Sequence, residues 1–301
     1  MKVPNQRIHL PVLDKLKLSL FLKREDQVHP TISGNKYRKL KYNLIRAKEQ
    51  AHNTLLTFGG AYSNHIHATA HAGKEYGFKT IGVIRGEELT QNWKQNPTLV
   101  EAHDAGMEFR FVSRSKYREK NTGHFLQELQ EVYNRFYLIP EGGTNDLAVR
   151  GCEEILTKGD QTFNFICSSV GSGGTLSGLI NASAAHQTVL GFPALKGDFL
   201  QKDIRKFVRN KNWALLLEYH FGGYANMNEE LINFINDFRK KTQIQLDPVY
   251  SAKMMYGILD LAEKGYFPEH SKILAIHTGG LQGIKGMNMK LKTRHLPLIT
   301  I

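Results

Sequence analysis

The sequence predicts an α/β fold of two lobes, each a three-layer α/β/α sandwich around a parallel sheet. Apolar, β-rich runs alternate with helix-period segments through most of the 301 residues, the pattern of βαβ units. Glycine-rich turns directly follow several of those runs, and no repeat, low-complexity stretch or long linker interrupts them.

The expected strands, in order, are Thr54 to Phe58, Thr80 to Ile84, Glu108 to Val112, Phe136 to Ile139, Phe163 to Cys167, Val189 to Phe192, Leu215 to Tyr219 and Ile273 to Ile276. Helices are expected between them, and a further one from about Tyr37 to Ala51 precedes the first strand. The expected division is a large lobe of residues 1–44 and 140–301, with a small lobe of 45–139 inserted in it.

Composition narrows the function classes. At 41% hydrophobic and 23% charged, the chain is neither disordered nor fibrous. No run of about 18 apolar residues occurs, and Met1 to Arg7 is polar, so no membrane or secretory segment is expected. Cys152 and Cys167 lack CxxC spacing and suit a reducing compartment, the cytoplasm. The net charge of +12 raises the question of nucleic acid. Its densest runs, Lys36 to Lys41 and Arg205 to Lys211, lie in helix-like segments without a recognition motif, so no nucleic-acid partner is expected. Attraction of anionic substrates and phosphate is the milder consequence.

Ligands of open α/β sheets sit at the carboxyl ends of the strands, which directs attention to the turns there. Ser33-Gly34-Asn35-Lys36 leads into the first expected helix, where Lys36 shares a face with Leu40 and Leu44 while Arg38, Lys39 and Lys41 point elsewhere. A lysine at such a place ordinarily snorkels to water. One that forms a Schiff base must instead be desolvated, with a lowered pKa. Its neighbours decide between the two.

Val170-Gly171-Ser172-Gly173-Gly174-Thr175 follows a strand and opens a helix, an arrangement whose N–H groups cradle a phosphate monoester. It lacks the lysine of a nucleotide P-loop, and no GxGxxG opens the first βα unit. Gly59-Gly60-Ala61-Tyr62-Ser63-Asn64-His65 is a second strand–loop–helix start, in which Ser63 or Asn64 also reads as a plain N-cap. Asp247-Pro248-Val249-Tyr250-Ser251-Ala252-Lys253 and His277-Thr278-Gly279-Gly280 complete the set. His67 and His71 stand i,i+4 on a helix, but without the glutamate of HExxH no metal is expected.

The segments SGNKYRKL, FGGAYSNH, VGSGGT, LDPVYSAK and IHTGG occur in this order, and with them the chain resembles the 1-aminocyclopropane-1-carboxylate (ACC) deaminase and D-cysteine desulfhydrase family. Those are pyridoxal-phosphate (PLP) enzymes of the tryptophan synthase β-subunit-like fold. The likeness runs from about Leu22 to Gly280. It implies PLP held by Lys36, with Asn64 at the phenolic oxygen of the ring and Ser63 beside the reacting carbon. It also implies that Gly171, Ser172, Gly173, Gly174 and Thr175 hold the phosphate, and that Tyr224 and Tyr250 face a small amino-acid substrate. A homodimer is expected.

Ser251 and Thr278 fall where the two branches of the family differ. ACC deaminases have glutamate and leucine there, whereas this chain carries hydroxyls, as the desulfhydrase branch does. A glutamate at the pyridine nitrogen keeps it protonated and strengthens the electron sink, and a hydroxyl leaves it nearer neutral. The resemblance therefore implies β-elimination from D-cysteine, with ACC deamination as the alternative. A PLP-binding or nucleic-acid-binding protein without turnover is the reading from another class. Two departures stand near the expected substrate pocket: Leu281-Gln282-Gly283-Ile284 after the last motif, and Ala225-Asn226 after Tyr224.

Overall fold

The computed structural model describes residues 3–197 and 199–301; the first two residues of the polar segment Met1 to Arg7 lie outside it. Ten strands form two sheets: β1 (Asn5–Ile8), β2 (Ser19–Lys23), β3 (Thr54–Gly60), β4 (Lys79–Arg85), β5 (Met107–Val112), β6 (Tyr137–Ile139), β7 (Phe165–Val170), β8 (Thr188–Pro193), β9 (Trp213–Leu215) and β10 (Lys272–Ile276). The six-stranded sheet has the order β1-β2-β10-β7-β8-β9 and the four-stranded sheet the order β5-β4-β3-β6. Only β1 runs antiparallel to its neighbour, along the pairing Asn5↔Lys23 to Ile8↔Leu20. The other strands run parallel and helices cover both faces of the sheets, the α/β/α layering expected from the sequence.

Three local differences from the sequence reading have physical causes. β1 and β2 were not expected, because Asn5–Ile8 is a mostly polar edge strand with one buried residue. β2 buries Leu20 and Leu22 completely, yet its run is short and ends in Lys23. The strand expected at Leu215 to Tyr219 is instead β9, which pairs with β8 from Val189↔Trp213 to Gly191↔Leu215. Leu217–His220 then coils into a 3-10 turn, fastened by the Tyr219 hydroxyl donating to Asp260 at 2.7 Å. The first long helix is Asn35–Glu49, so Lys36 lies inside its first turn.

The cores explain why so much of the sequence is apolar at helical or strand spacing. One cluster packs Leu20, Leu22, Ile235, Met255 and Ile258 on one face of the six-stranded sheet, and another packs Ile166, Val189, Leu179 and Ile276 on the other. Two buried ion pairs tie the early chain to these layers. Lys23 reaches Asp160 at 2.8 Å, both side chains 3% exposed, and Arg38 grips Glu25 with two bonds of 2.9 and 3.0 Å. Each charge is matched on the spot, as burial requires.

Each sheet has one place where strand order reverses. In the four-stranded sheet β4 and β5 lie to one side of β3 and β6 to the other; in the six-stranded sheet β8 and β9 lie to one side of β7 and β10 to the other. Loops leaving strands at such a reversal part in opposite directions and open a crevice. The turns after β3, β6, β7 and β10 are therefore the ones the topology brings to a site.

Candidate active site

Those four turns line one open cleft of about 1290 Å3. Lys36, Ser63, Asn64, Tyr224, Tyr250, Gly171, Ser172, Gly173, Thr175 and Thr278, all singled out from the sequence, are on its wall. The turn that carries Lys36 packs on the turn after β10. Gly34 has φ +60°, a Cβ there would overlap the Thr278 carbonyl oxygen, and the Asn35 N–H donates to that oxygen at 3.2 Å. No other residue type fits.

The Lys36 amine donates to the Gly142 carbonyl at 3.0 Å. Burial pushes its pKa well below the ordinary lysine value, and the charge of Lys39 lowers it further. That is the state a Schiff-base lysine requires. Lys39, expected to point away, does not: one helical turn on, it is 2% exposed and its amine enters the same site. It donates to the Gly142 carbonyl at 3.0 Å, Thr144 Oγ1 at 2.9 Å and Ser172 Oγ at 3.1 Å. Burial brings its pKa to about 8.

Beyond β7 the loop Gly171–Gly173 leads into the helix Gly174–Ala182, whose first N–H groups have no partner within the helix. Gly173 has φ +84°, and a Cβ on Gly174 would stand 2.8 Å from Thr144 Oγ1 and 3.2 Å from the Lys39 amine. The Thr175 hydroxyl accepts from Asn35 Nδ2 at 2.7 Å, which binds this loop to the lysine helix. Glycine N–H groups, a helix start and a buried cation with no carboxylate on it together fit a phosphate monoester.

Ser63 serves as the N-cap of the helix Asn64–Tyr76, accepting from the N–H groups of His65 and Ile66 at 3.2 and 3.3 Å. Asn64 Oδ1 accepts from Gln282 Nε2 at 2.6 Å, which leaves Nδ2 to donate. The departure from the family pattern at Gln282 thus has a structural role that the sequence reading missed. The rings of Tyr224 and Tyr250 meet edge to face with centroids 6.2 Å apart. Burial, with Tyr224 and Asp247 nearby, raises the Tyr250 pKa well above its usual value and keeps that hydroxyl protonated.

Ser251 is placed differently from the sequence expectation. It is fully buried and is not part of the cleft wall; its hydroxyl donates to Asp247 Oδ1 at 2.6 Å and accepts from the Asp247 N–H at 2.8 Å. Asp247 also accepts from the N–H groups of Val249, Tyr250 and Ser251, at 3.0, 3.0 and 2.6 Å. The reason is local, since the helix Ser251–Glu263 starts there and Asp247 satisfies its free N–H groups. Thr278 does face the cleft, 3.4 Å from Ser169 Oγ. His67 pairs with Glu101 at 3.0 Å, and among the described residues no cluster of His, Cys, Asp or Glu is arranged for a metal ion. No described helix is long and apolar enough to cross a membrane, and both cysteines are buried and free.

A cleft at paired strand reversals, holding a desolvated lysine beside a glycine-lined anion cradle, defines a class of enzyme, and the comparison of sequences agrees: the chain belongs to the family of pyridoxal-phosphate dependent enzymes, which residues 4–279 match. Within it, the chain is similar to the putative 1-aminocyclopropane-1-carboxylate deaminase of Pyrococcus furiosus, 34% identical over 91% of this chain and 89% of that one. It is 30% identical to the bifunctional D-cysteine desulfhydrase/1-aminocyclopropane-1-carboxylate deaminase, mitochondrial, of Arabidopsis thaliana, over 94% and 77% of the two chains. The crystal structure of an ACC deaminase homologue superposes with a TM-score of 0.83 at 29% identity, covering 97% of this chain and 94% of the other.

Proposed function

We propose that the chain is a D-cysteine desulfhydrase-like lyase that converts a small amino acid by β-elimination to pyruvate, sulfide and ammonia. The observation that carries this reading is the convergence of the Lys36 amine with the Tyr224, Tyr250, Ser63 and Thr278 hydroxyls on one cleft. Lys36 would hold PLP, the 171–175 loop and Lys39 its phosphate, Asn64 its phenolic oxygen and Thr278 its ring nitrogen. Bound PLP supplies the electron sink for the pair left at Cα.

The chain's own groups supply the proton traffic. Lys36, its amine freed when the amino group of the substrate takes its place and its pKa lowered by burial, would take the Cα proton. The protonated Tyr250 hydroxyl would give the leaving sulfur its proton as the Cβ–S bond breaks. Ser63 orients the substrate carboxylate, and released enamine hydrolyses in water to pyruvate and ammonia. A hydroxyl at Thr278, on the cleft wall, favours the weaker sink and a good leaving group over ring opening.

ACC deamination to 2-oxobutyrate and ammonia is the second reading, favoured by the similarity to the Pyrococcus furiosus protein. An assay of pyruvate, sulfide and 2-oxobutyrate over D-cysteine, L-cysteine and ACC separates them. Sulfide from D-cysteine with little product from ACC is expected; 2-oxobutyrate from ACC with no sulfide from either cysteine overturns the first reading. The same reading carries a homodimer in the cytoplasm, with residues 45–139 as the inserted lobe; light scattering on the purified protein tests the dimer.

A further inference from the structure

The loop His220–Ala225, which carries Tyr224 to the cleft, has a backbone that few sequences tolerate. Phe221, Gly222, Gly223 and Ala225 have φ of 51°, 83°, 111° and 53°, all in the left-handed region. Turn bonds hold it only locally: the Gly223 N–H donates to the His220 carbonyl at 3.0 Å, the Asn226 N–H to that of Gly223 at 3.2 Å and Asn226 Nδ2 to that of Gly222 at 2.9 Å. Two lysines add the bonds that tie it to the rest of the fold. Lys253 Nζ donates to the carbonyls of His220 and Gly223, 2.8 Å each, and Lys290 Nζ donates to that of Ala225 at 3.1 Å.

Lys253 is 1% exposed and sits in the first turn of the helix whose N-cap is Tyr250. Among the described residues no carboxylate forms an ion pair with it. Burying an amine costs several kcal/mol, and an apolar side chain of the same length would fill the space without that cost. Its two carbonyl bonds are what the charge achieves. We propose that Lys253, assisted by Lys290, is a positioning residue that fixes the Tyr224 loop against the Tyr250 helix and so sets the distance between the two tyrosines. It acts through the loop and touches no substrate. The inference rests on the proposed role of Tyr224 in the reaction.

The clamp is also sensitive to pH. Burial lowers the Lys253 pKa to about 8, with Asp247 acting upward and Lys290 downward. Other titratable groups at the loop are Tyr224, Tyr250, Tyr256 against the Phe221 ring, Lys196 beside Gly223, and the His220 imidazole, whose Nδ1 accepts from the Gly222 N–H at 2.9 Å. The charged amine holds both carbonyls below pH 8, and the hold weakens as pH rises through it.

Hydrogen exchange of the peptide spanning residues 219–227, corrected for intrinsic rates, tests this in the PLP-loaded protein. Wild type should lose protection as pH passes about 8, whereas Lys253→Met should be poorly protected throughout and show no step. In the kinetic arm, Lys253→Met should keep its cofactor absorbance and PLP affinity while kcat falls roughly tenfold or more. Tyr224→Phe should then cost little further in that background, because the two residues act as one unit. Unchanged exchange in Lys253→Met, or additive losses in the double variant, overturns the proposal. If Lys253→Met does not fold, Lys290→Met must show the same exchange increase around Ala225. A wild type without sulfide release would refute the substrate reading and leave the exchange experiment intact.

Discussion

Lys36 and Lys39 donate to one oxygen, the Gly142 carbonyl, each at 3.0 Å. Burial and then the charge of Lys39 lower the Lys36 pKa, and a single α-helical turn between them makes the arrangement possible. Lys39 thereby has two tasks, one toward the glycine loop at Ser172 and one toward its neighbour.

Replacing Lys39 by Met should separate those tasks. Its bonds to charged partners are worth about 1.5–3 kcal/mol, so PLP affinity should fall by one to two orders of magnitude. Lys36 loses a charge that lowers its pKa, so the pH midpoint for PLP association should move upward. Stopped-flow absorbance over a pH series reads both, and an unmoved midpoint would show that Lys39 does not act on Lys36.

Lys36→Ala should abolish turnover together with the visible cofactor band. Borohydride reduction of wild type followed by fragment sequencing should place the cofactor on Lys36. Attachment to Lys39 or Lys253, two further buried lysines whose pKa burial lowers to about 8, would refute the assignment.

Gly174→Ala should weaken PLP binding far more than it lowers thermal stability. The new methyl group stands within 3.2 Å of the Lys39 amine and closer still to Thr144, so the cradle must widen. Equal PLP affinity in wild type and variant would mean that the phosphate sits elsewhere.

Ser251→Glu tests the branch difference in a new light. A carboxylate there lies against the Asp247 carboxylate, whose four hydrogen bonds include two from Ser251 itself. The expected result is a loss of about 3–5 kcal/mol in chemical denaturation without gain of ACC deamination, as for an unpaired buried charge. Ser251→Ala should cost about 1–3 kcal/mol. A stable Ser251→Glu variant that opens ACC would contradict both.

Asp160 should make the fold acid-sensitive. Burial pushes its pKa up, but Lys23, Asn5 and the Thr157 N–H outweigh that and hold it below the ordinary carboxylate value. A depressed folded pKa means its stabilisation is complete above the unfolded value of about 3.9 and drains away as pH falls further. Lys23→Met should cost about 3–5 kcal/mol at neutral pH and much of that difference should vanish near pH 3. Urea unfolding at both pH values gives the comparison.

The sequence made the parallel strands from Thr54 onward legible because each is an apolar run stopped by a turn, and it made the cleft legible because those turns carry glycine. β1 stayed hidden: an edge strand with one buried residue leaves no apolar signature. Lys39 was misjudged because helical spacing places a Cα on a face, whereas a four-carbon stem can carry its amine round to the next one. Ser251 was assigned by position in a motif, but the competition between a cleft and a helix start for one hydroxyl is decided by local backbone donors. Gln282 shows the converse, since its bond to Asn64 joins residues far apart in the chain.

The pairing of β2 with β10 sets residue 19 beside residue 272 and residue 23 beside residue 276. During synthesis β2 therefore leaves the ribosome well before its parallel partner and waits for it. The four-stranded sheet, drawn entirely from residues 54–139, has all its strands long before that. A nascent chain stalled after Ile139 can close one sheet while Leu20 and Leu22, buried completely in the finished protein, still lack their cover. That interval is when the chain most needs protection from aggregation, and it ends only when β10 slots between β2 and β7.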